Sequence, residues 1–197
     1  MSGLIKLTPT EPNLREILRY AGGSADQNTL ALVDECLAEA IGALSFGVCY
    51  RILRVNITDS LCDFEQFSVK SRDLAKNLNG CAAVCVFGAT LGSAFDRLLI
   101  KYSRISPAKA LIFQAIGAER TEALRDAFCE KLKADGYALK PRFSAGYGDL
   151  PLEANRDIFA ALNLEKNLGI TLNRSMLMSP SKSVTAFVGI LEEKYEN

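Results

Sequence analysis

The sequence predicts one mixed α+β domain in which helices pack on a largely antiparallel sheet. Several segments place apolar residues three and four positions apart, as amphipathic helices do, while others alternate or are continuously apolar, as strands are. The chain has 197 residues without an evident linker, internal repeat or low-complexity segment. We therefore expect residues 1–197 to form a single domain that begins with a helical segment over about 1–45.

The helical segment is predicted to contain two helices. Glu11 and Pro12 open the first one, and Gly22 and Gly23 end it. Ser24, followed three residues later by Gln27, predicts a capping box for the second helix. That helix is predicted over residues 26–44, with one apolar stripe made of Leu30, Val33, Leu37, Ile41 and Leu44.

The middle of the chain is predicted to contribute most of the sheet. Residues 48–57 and 64–69 alternate and are rich in β-branched and aromatic types, which predicts an antiparallel pair of strands. Ser71 is expected to cap a short helix that ends at Asn79 and Gly80. Residues 81–89, CAAVCVFGA, are almost continuously apolar, so we expect a buried central strand there.

Two helices and a more irregular last third are predicted to follow. The first helix comes after Thr90, with Leu91, Phe95, Leu98 and Tyr102 on one face, and the longest helix begins at Pro107 and ends near Ala134. The remaining predictions are a strand over 137–143, a turn-rich loop over 144–151, a helix over 152–162, and strands over about 170–178 and 183–190, separated by Pro180.

The composition excludes several classes of function. The 23 lysines and arginines balance 23 aspartates and glutamates without forming a basic run, which argues against nucleic acid as a partner. The sequence contains no histidine, so Ser-His and Cys-His dyads and histidine metal ligands are excluded. We expect a cytoplasmic protein without a membrane segment, because no stretch reaches about 18 uninterrupted apolar residues and the amino terminus lacks a leader pattern.

The cysteines indicate structure more than chemistry. Six of them lie in apolar surroundings without C-x-x-C pairs, so we expect mostly buried, reduced thiols at Cys36, Cys49, Cys62, Cys81, Cys85 and Cys129. Cys81 and Cys85 are four residues apart in a predicted strand and are expected to face the same side. A redox role for this pair is an alternative that requires an accessible thiolate of lowered pKa. No metal site is predicted, since tetrahedral zinc would need further ligands beside this pair.

The loop over residues 142–151 has the composition of a ligand-binding loop. Arg142 offers a fixed fork of donors for a carboxylate, and Tyr147 offers a flat ring. Gly146 and Gly148 permit positive backbone φ and a close approach to a ligand. The loop could bind a small zwitterion or could be a tight turn with a surface arginine. It is not a dinucleotide fingerprint, because Pro151 stands where the third glycine would be.

Three motifs in order give the chain a family resemblance. RFSAGYGDLP at residues 142–151, LGITLNRSMLMSP and KSVTAFVGI together resemble the activation domain of cobalamin-dependent methionine synthase. The chain is most similar to stand-alone bacterial proteins related to that domain, which also tend to show elements like LNGCAAVCVFGATLG and AERTEALRDAFCEKL. The resemblance extends over the whole chain and implies the same α+β fold.

The resemblance also implies a cosubstrate, a role and partners. It implies binding of S-adenosylmethionine and help in the reductive reactivation of a separate corrinoid-dependent methyltransferase, such as methionine synthase. Cobalamin would then be supplied only through this partner, and a flavodoxin-type protein would supply the electron. Whether the protein forms a homodimer is left open. The alternative is a non-catalytic binding or assembly module that kept the fold without S-adenosylmethionine.

The resemblance assigns roles to individual residues. Arg142 would pair with the ligand carboxylate, the backbone of Ser144, Ala145 and Gly146 would line the ligand, and Tyr147 matches the motif tyrosine. For the ligand ammonium, the candidate is Glu119 on the long helix.

Further contacts are predicted near the last strand. Lys182, Ser183 and Val188 are candidates for secondary contacts, although Lys182 and Ser183 could simply begin the strand. The chain departs from the family where Val188 and Gly189 replace an aromatic pair that touches the ligand.

Overall fold

The computed structural model describes residues 1–23 and 25–191 and contains both helices and strands. The elements follow in the order β1 (Ser2–Lys6), α1 (Leu14–Ala21), α2 (Gln27–Ile41), β2 (Gly47–Arg54), β3 (Asn56–Thr58), β4 (Leu61–Asp63), β5 (Ser68–Lys70), α3 (Arg72–Leu78), β6 (Cys81–Thr90), α4 (Ser93–Ile105), α5 (Pro107–Ala134), α6 (Ala154–Leu162), α7 (Leu164–Leu168), β7 (Thr171–Leu172), β8 (Met178–Ser179) and β9 (Ser183–Leu191).

The main sheet has four strands in the order β1-β2-β6-β9, and every neighbouring pair is antiparallel. The central strand β6 is buried over most of its length, because both of its faces are covered. Two smaller sheets, β3-β4-β5 and β7-β8, lie outside it. The predicted α+β class with a largely antiparallel sheet is confirmed.

Helices α1, α2, α4 and α5 contribute to the hydrophobic core on one face of the sheet. Phe128 of α5 is fully buried there, with ring centroids 5.2 Å from Tyr50 of β2 and 4.9 Å from Phe87 of β6. Aromatic rings at these separations attract each other beyond the effect of burial alone. The contacts fix α5 across the sheet and so fix the direction in which its other faces point.

A second core covers the opposite face of the sheet. It combines residues of α3, α6 and α7 with residues of the small sheet β3-β4-β5. Phe64 stacks on Phe187 of β9, with ring centroids 5.2 Å apart. Phe187 and Val188 are neighbours on β9, and they enter opposite cores, as the two-residue period of a strand requires. Val188 is fully buried.

The elements with strong local signals are close to their predicted bounds. Helix α5 begins at Pro107, with Ser106 as N-cap, and ends at Ala134, while Ser71 caps α3 through a hydrogen bond from the Leu74 amide. Helix α1 ends at Gly22, which adopts the left-handed conformation. The capping box predicted at Ser24 lies outside the described residues, and Asp26 is the N-cap of α2.

Several predictions for short elements are wrong. The amino terminus forms an edge strand, β1, where a purely helical segment was expected. Strand β5 pairs with β4, so the predicted pairing of residues 48–57 with 64–69 does not occur. In place of a strand over 170–178 there are two two-residue strands, β7 and β8. Segments of two to five residues carry too little periodicity to be assigned from sequence.

The cysteine pair is also arranged differently from the prediction. A β-bulge between Cys81 and Ala83 shifts the register of β6, and such an extra residue reverses the alternation of side chains. Cys81 Sγ therefore lies beside Gly189 and Leu78, whereas Cys85 belongs to the core under the long helix. Burial raises the pKa of both thiols, and this contradicts the redox alternative.

Residues 137–143 form an irregular edge beside β9 where a regular strand was predicted. Isolated bridges join Leu139 to Ile190 and Phe143 to Phe187. Between them stands Pro141, which has no amide hydrogen to donate. This edge segment leads directly into the loop over 144–151 and places Arg142 next to α5. No helix within the described ranges is long and apolar enough to cross a membrane.

Candidate ligand-binding site

Arg142 lies at the edge of the sheet with its guanidinium group against α5. Its Nη1 donates to Asp126 Oδ1 at 2.5 Å, and its Nη2 lies 3.7 Å from Glu122 Oε2. The side chain is only 23% exposed. Burial is the largest single influence and would lower the pKa of Arg142, but the hydrogen bonds and charge interactions with Asp126 and Cys129 together outweigh it, and the pKa is raised. The guanidinium is thus a fixed cation between two carboxylates.

The backbone explains why Arg142 points to α5. Phe143 exchanges two backbone hydrogen bonds with Phe187, at 2.9 and 2.7 Å, and its ring packs against the second core. Successive side chains of an extended segment point to opposite sides. Since Phe143 is directed to one face of the sheet, Arg142 is directed to the other face, where α5 lies.

A cleft of about 650 Å³ runs between α5 and the amino-terminal segment. Its wall on α5 contains carboxylates at intervals of three and four residues, which places them on one face of the helix. The lining carboxylates are Glu16, Glu119, Glu122, Asp126 and Glu130, and the other lining residues include Thr8, Thr10, Asn13 and Tyr20. We call this space the acidic cleft.

Glu119 lines the acidic cleft, but its charge is already neutralised. Its two oxygens accept hydrogen bonds from the Arg120 guanidinium at 2.5 and 2.6 Å and from the Asn13 amide at 3.1 Å. Arg120 also donates to the carbonyl oxygens of Thr10 and Glu11. The two side chains are only 6% and 4% exposed. This buried ion pair fastens residues 10–13 to α5, which is a structural role.

Glu122 and Asp126 are the carboxylates that the structure brings to Arg142, and sequence reasoning did not identify them. They lie one helical turn apart, and Asp126 is about 10 Å along the axis from Glu119. Their spacing on α5 was visible in the sequence. The approach of Arg142 was not, because it depends on how the edge segment packs beside the helix.

The loop over residues 144–151 is held by its own backbone. The Tyr147 amide donates to the Ser144 carbonyl at 3.1 Å, the Gly146 amide donates to Leu150, and Ser144 Oγ donates to the Thr185 carbonyl at 2.9 Å. Ala145 is half-buried against the second core. Gly146 has φ 85°, a conformation that favours glycine. The predicted binding backbone is therefore a rigid turn.

Tyr147 projects from the other side of the edge segment. Its side chain is 72% exposed, and its ring meets Phe143 edge-on with centroids 5.9 Å apart. It lines a cleft of about 440 Å³ that also includes Lys140 and Pro141. Those two residues also line a cleft beside Arg142. Arg142 and Tyr147 thus border neighbouring clefts, and only an extended ligand could touch both.

Asp149 ties this loop to α3. Its carboxylate accepts hydrogen bonds from Ser71 Oγ at 2.5 Å and from the amides of Arg72 and Asp73, while Asp73 accepts from the Asp149 amide. Gly148 is required beside this clamp, because a Cβ at its position would collide with the Asp73 carboxylate. The hydrogen bond from Ser71, followed by those from the two amides, lowers the pKa of Asp149 from 3.8 to about 2.

Asp149→Asn should make stability less dependent on pH in the acid range. The folded protein favours the ionised carboxylate, so this group contributes stability above pH 3.8 that is lost as the pH falls through about 2. The free energy of unfolding should be lower for the variant at neutral pH, and the difference should shrink as the pH falls through this window. Urea unfolding at several pH values tests this. A difference independent of pH would show that the carboxylate charge does not hold the loop.

The remaining predicted contacts lie elsewhere on β9. Lys182 Nζ donates to the Gln114 carbonyl at 3.2 Å, and burial lowers the pKa of Lys182. Ser183 Oγ is 2.8 Å from Thr90 Oγ1. At about 3.3 Å per residue, Ser183 is roughly 13 Å from Phe187, which lies opposite Phe143. The structure therefore does not bring Lys182 or Ser183 to Arg142, and Val188 is enclosed in the core.

Comparison with known proteins bears on the fold. No family model and no curated protein matches the sequence. Among solved structures, a crystal structure of the MetH reactivation domain bound to AdoHcy matches with a TM-score of 0.63 and 15% sequence identity. The match covers 87% of this chain and 67% of that chain. The chain has the fold of the MetH reactivation domain. The resemblance inferred from the motifs is thereby confirmed at the level of the fold.

Proposed function

We propose that this protein binds S-adenosylmethionine and assists the reductive methylation of the cob(II)alamin form of a separate corrinoid-dependent methyltransferase, methionine synthase being the first candidate. The observation that carries the proposal is the position of Arg142 beside Glu122 and Asp126, on a fold shared with the MetH reactivation domain bound to AdoHcy. S-adenosylhomocysteine is the product left when S-adenosylmethionine gives up its methyl group.

The charges around Arg142 match those of an amino acid. The methionine end of S-adenosylmethionine carries a carboxylate and an ammonium group, and its sulfur carries a further positive charge. Arg142 can take the carboxylate in a bidentate pair, while Glu122 and Asp126 can take the ammonium group. The ligand would replace the ion pairs of Arg142 with Glu122 and Asp126 by its own pairs with these three side chains, so the charge of the half-buried Arg142 remains compensated.

The task of the protein in this reaction is positioning. In the reaction that the resemblance implies, one electron and the sulfonium methyl group convert cob(II)alamin to methylcobalamin and leave S-adenosylhomocysteine. No general base is needed, which fits a chain without histidine. The protein has to hold the sulfonium methyl in line with the cobalt that the partner carries, and correct alignment can supply much of the rate.

A partner that is separate, as proposed, lacks the raised effective concentration that a tether would supply, so it has to be recognised through an interface. Two exposed apolar residues lie beside the loop: Tyr147 is 72% exposed, and Leu152, which packs over Gly146, is 39% exposed. These residues support docking of the corrinoid-bearing partner at this loop. A flavodoxin-type electron donor and a cytoplasmic location remain parts of the proposal.

A non-catalytic module without S-adenosylmethionine is the second candidate. The replacement of the aromatic pair by Val188 and Gly189 favours it, because Val188 is enclosed in the core and offers no ring to an adenine. The acidic cleft of about 650 Å³, lined by Glu122 and Asp126, favours ligand binding instead, since side chains do not fill this space.

Isothermal titration separates the two candidates. We expect S-adenosylmethionine to bind saturably. S-adenosylhomocysteine, which lacks the sulfonium charge, is the comparison ligand. Asp126→Asn should weaken binding of S-adenosylmethionine by about three- to tenfold. This loss of affinity should be smaller than the loss on replacing Arg142, because Glu122 remains beside the ammonium group. Glu130→Gln, on the same helix but paired with Lys133, is the matched control. Absence of binding at millimolar ligand would favour the non-catalytic module.

A further inference from the structure

A cleft of about 480 Å³ beside Arg142 has a lining opposite in charge to the acidic cleft. Four cationic side chains line it, Arg125, Lys133, Lys140 and Arg142, and none of the described residues that line it is a carboxylate. We call this space the cationic cleft. Concave surfaces lined by one sign of charge concentrate ligands of the opposite sign.

Helix α5 contributes side chains of both signs. Arg125 and Lys133 of this helix line the cationic cleft. Arg125 pairs with Glu122, and Lys133 pairs with Glu130. The carboxylates line the acidic cleft, while the cationic groups line the other one.

Two donors at the cationic cleft have no acceptor among the described residues. Arg125 Nε is buried and makes no hydrogen bond among the described residues, although its Nη1 reaches Glu122. Lys140 forms no ion pair within the described part of the chain. Buried donors are nearly always hydrogen-bonded in native proteins, so a small movement of the Arg125 side chain that brings Nε to an acceptor in the cleft would be favourable.

We propose that the cationic cleft binds the phosphate group of a small phosphorylated molecule, with Arg125 and Lys140 as the principal donors. A phosphate group carries up to two negative charges and several acceptor oxygens, which suits one guanidinium and one ammonium group with Lys133 nearby. The cleft is larger than a phosphate group needs, and Leu139 and Pro141 give it an apolar wall for the rest of the molecule.

This site is separate from the one proposed for S-adenosylmethionine, which carries no phosphate. Arg142 is the residue that borders both, and its guanidinium is directed to Asp126 and Glu122. The principal donors, Arg125 and Lys140, have no role in the proposed contacts with the amino acid end of S-adenosylmethionine. The two proposals can therefore fail independently.

Titration with inorganic phosphate, at constant ionic strength maintained with chloride, tests the proposal. Calorimetry and the thermal unfolding midpoint should both report saturable binding. Lys140→Met should weaken phosphate binding about tenfold or more, whereas Lys140→Arg should retain most of it. Lys131→Met is the control lysine variant, because Lys131 lies on α5 near the cleft, pairs with Asp135 and does not line the cleft. Arg125→Met, checked for folding by circular dichroism, should weaken binding as Lys140→Met does.

Three outcomes of the phosphate titrations would each overturn the proposal: no saturable binding, equal loss in the Lys131 and Lys140 variants, or an effect that chloride reproduces. Affinity for S-adenosylmethionine is measured on the same variants to keep the two sites apart. It should be unchanged in Lys140→Met. Competition between phosphate and S-adenosylmethionine at the wild-type protein would show that the cleft holds the carboxylate of that ligand, and this also overturns a separate phosphate site.

Discussion

Arg142→Ala should reduce the affinity for S-adenosylmethionine by at least about 1.5 kcal/mol, or more than tenfold, and leave the protein folded. The variant removes the cation that faces the ligand carboxylate and leaves Asp126 and Glu122 to repel that carboxylate. The fold should tolerate the change, because Arg142 lies at the edge of the sheet and the neighbouring Phe143 keeps its backbone bonds to Phe187. Isothermal titration measures the affinity, and circular dichroism checks the fold.

Two further variants make this result specific. Arg142→Lys keeps the charge but loses the planar fork, so its affinity should fall between those of the wild type and Arg142→Ala. Arg156→Ala removes an exposed arginine on α6 and should leave the affinity unchanged. Equal affinities of Arg142→Ala and the wild type would place the ligand elsewhere and exclude the proposed site.

The contrast between α5 and the strands shows how much of the fold the sequence can predict. Helix α5 was predictable because its signals lie within or next to the helix itself. Pro107 marks its start, apolar residues continue in a helical pattern, and Asp135 with Gly136 marks its end. Strand β1 has five residues and is defined by pairing with β2, more than 40 residues later. The residues near β1 in the sequence give no sign of the strand with which it pairs. The bulge at Cys81 has the same cause, since register depends on the neighbouring strand β9.

The candidate site was predictable to a similar extent. Arg142 and the backbone of the loop were identified from a motif in one short segment. Their carboxylate partners were not, because Glu122 and Asp126 have the same local surroundings as several other acidic residues on helical surfaces. The bridges from Leu139 and Phe143 to β9 determine which part of α5 faces the arginine. Glu119 was chosen from the same helix, and it lies one to two turns too early to face Arg142.

Glu119→Leu should destabilise the protein by on the order of 3 kcal/mol. Leucine has a similar volume but leaves the Arg120 guanidinium, 4% exposed, without its carboxylate. It also removes the acceptor of the Asn13 amide, so residues 10–13 lose a second contact with α5. The carbonyl oxygens of Thr10 and Glu11 continue to accept hydrogen bonds from Arg120, which keeps the expected loss at the lower end for a broken buried pair.

Urea unfolding of a small set of variants tests whether Glu119 acts through the fold or through the ligand. Glu130→Gln breaks an exposed pair on the same helix and should change the free energy of unfolding by less than about 1 kcal/mol. The double variant Glu119→Leu with Arg120→Met removes both buried charges and should recover part of the loss. A Glu119→Leu protein of wild-type stability but weakened affinity for S-adenosylmethionine would restore Glu119 as the partner of the ligand ammonium. Loss of stability with unchanged affinity in the folded fraction would assign that partnership to Glu122 and Asp126, the carboxylates next to Arg142.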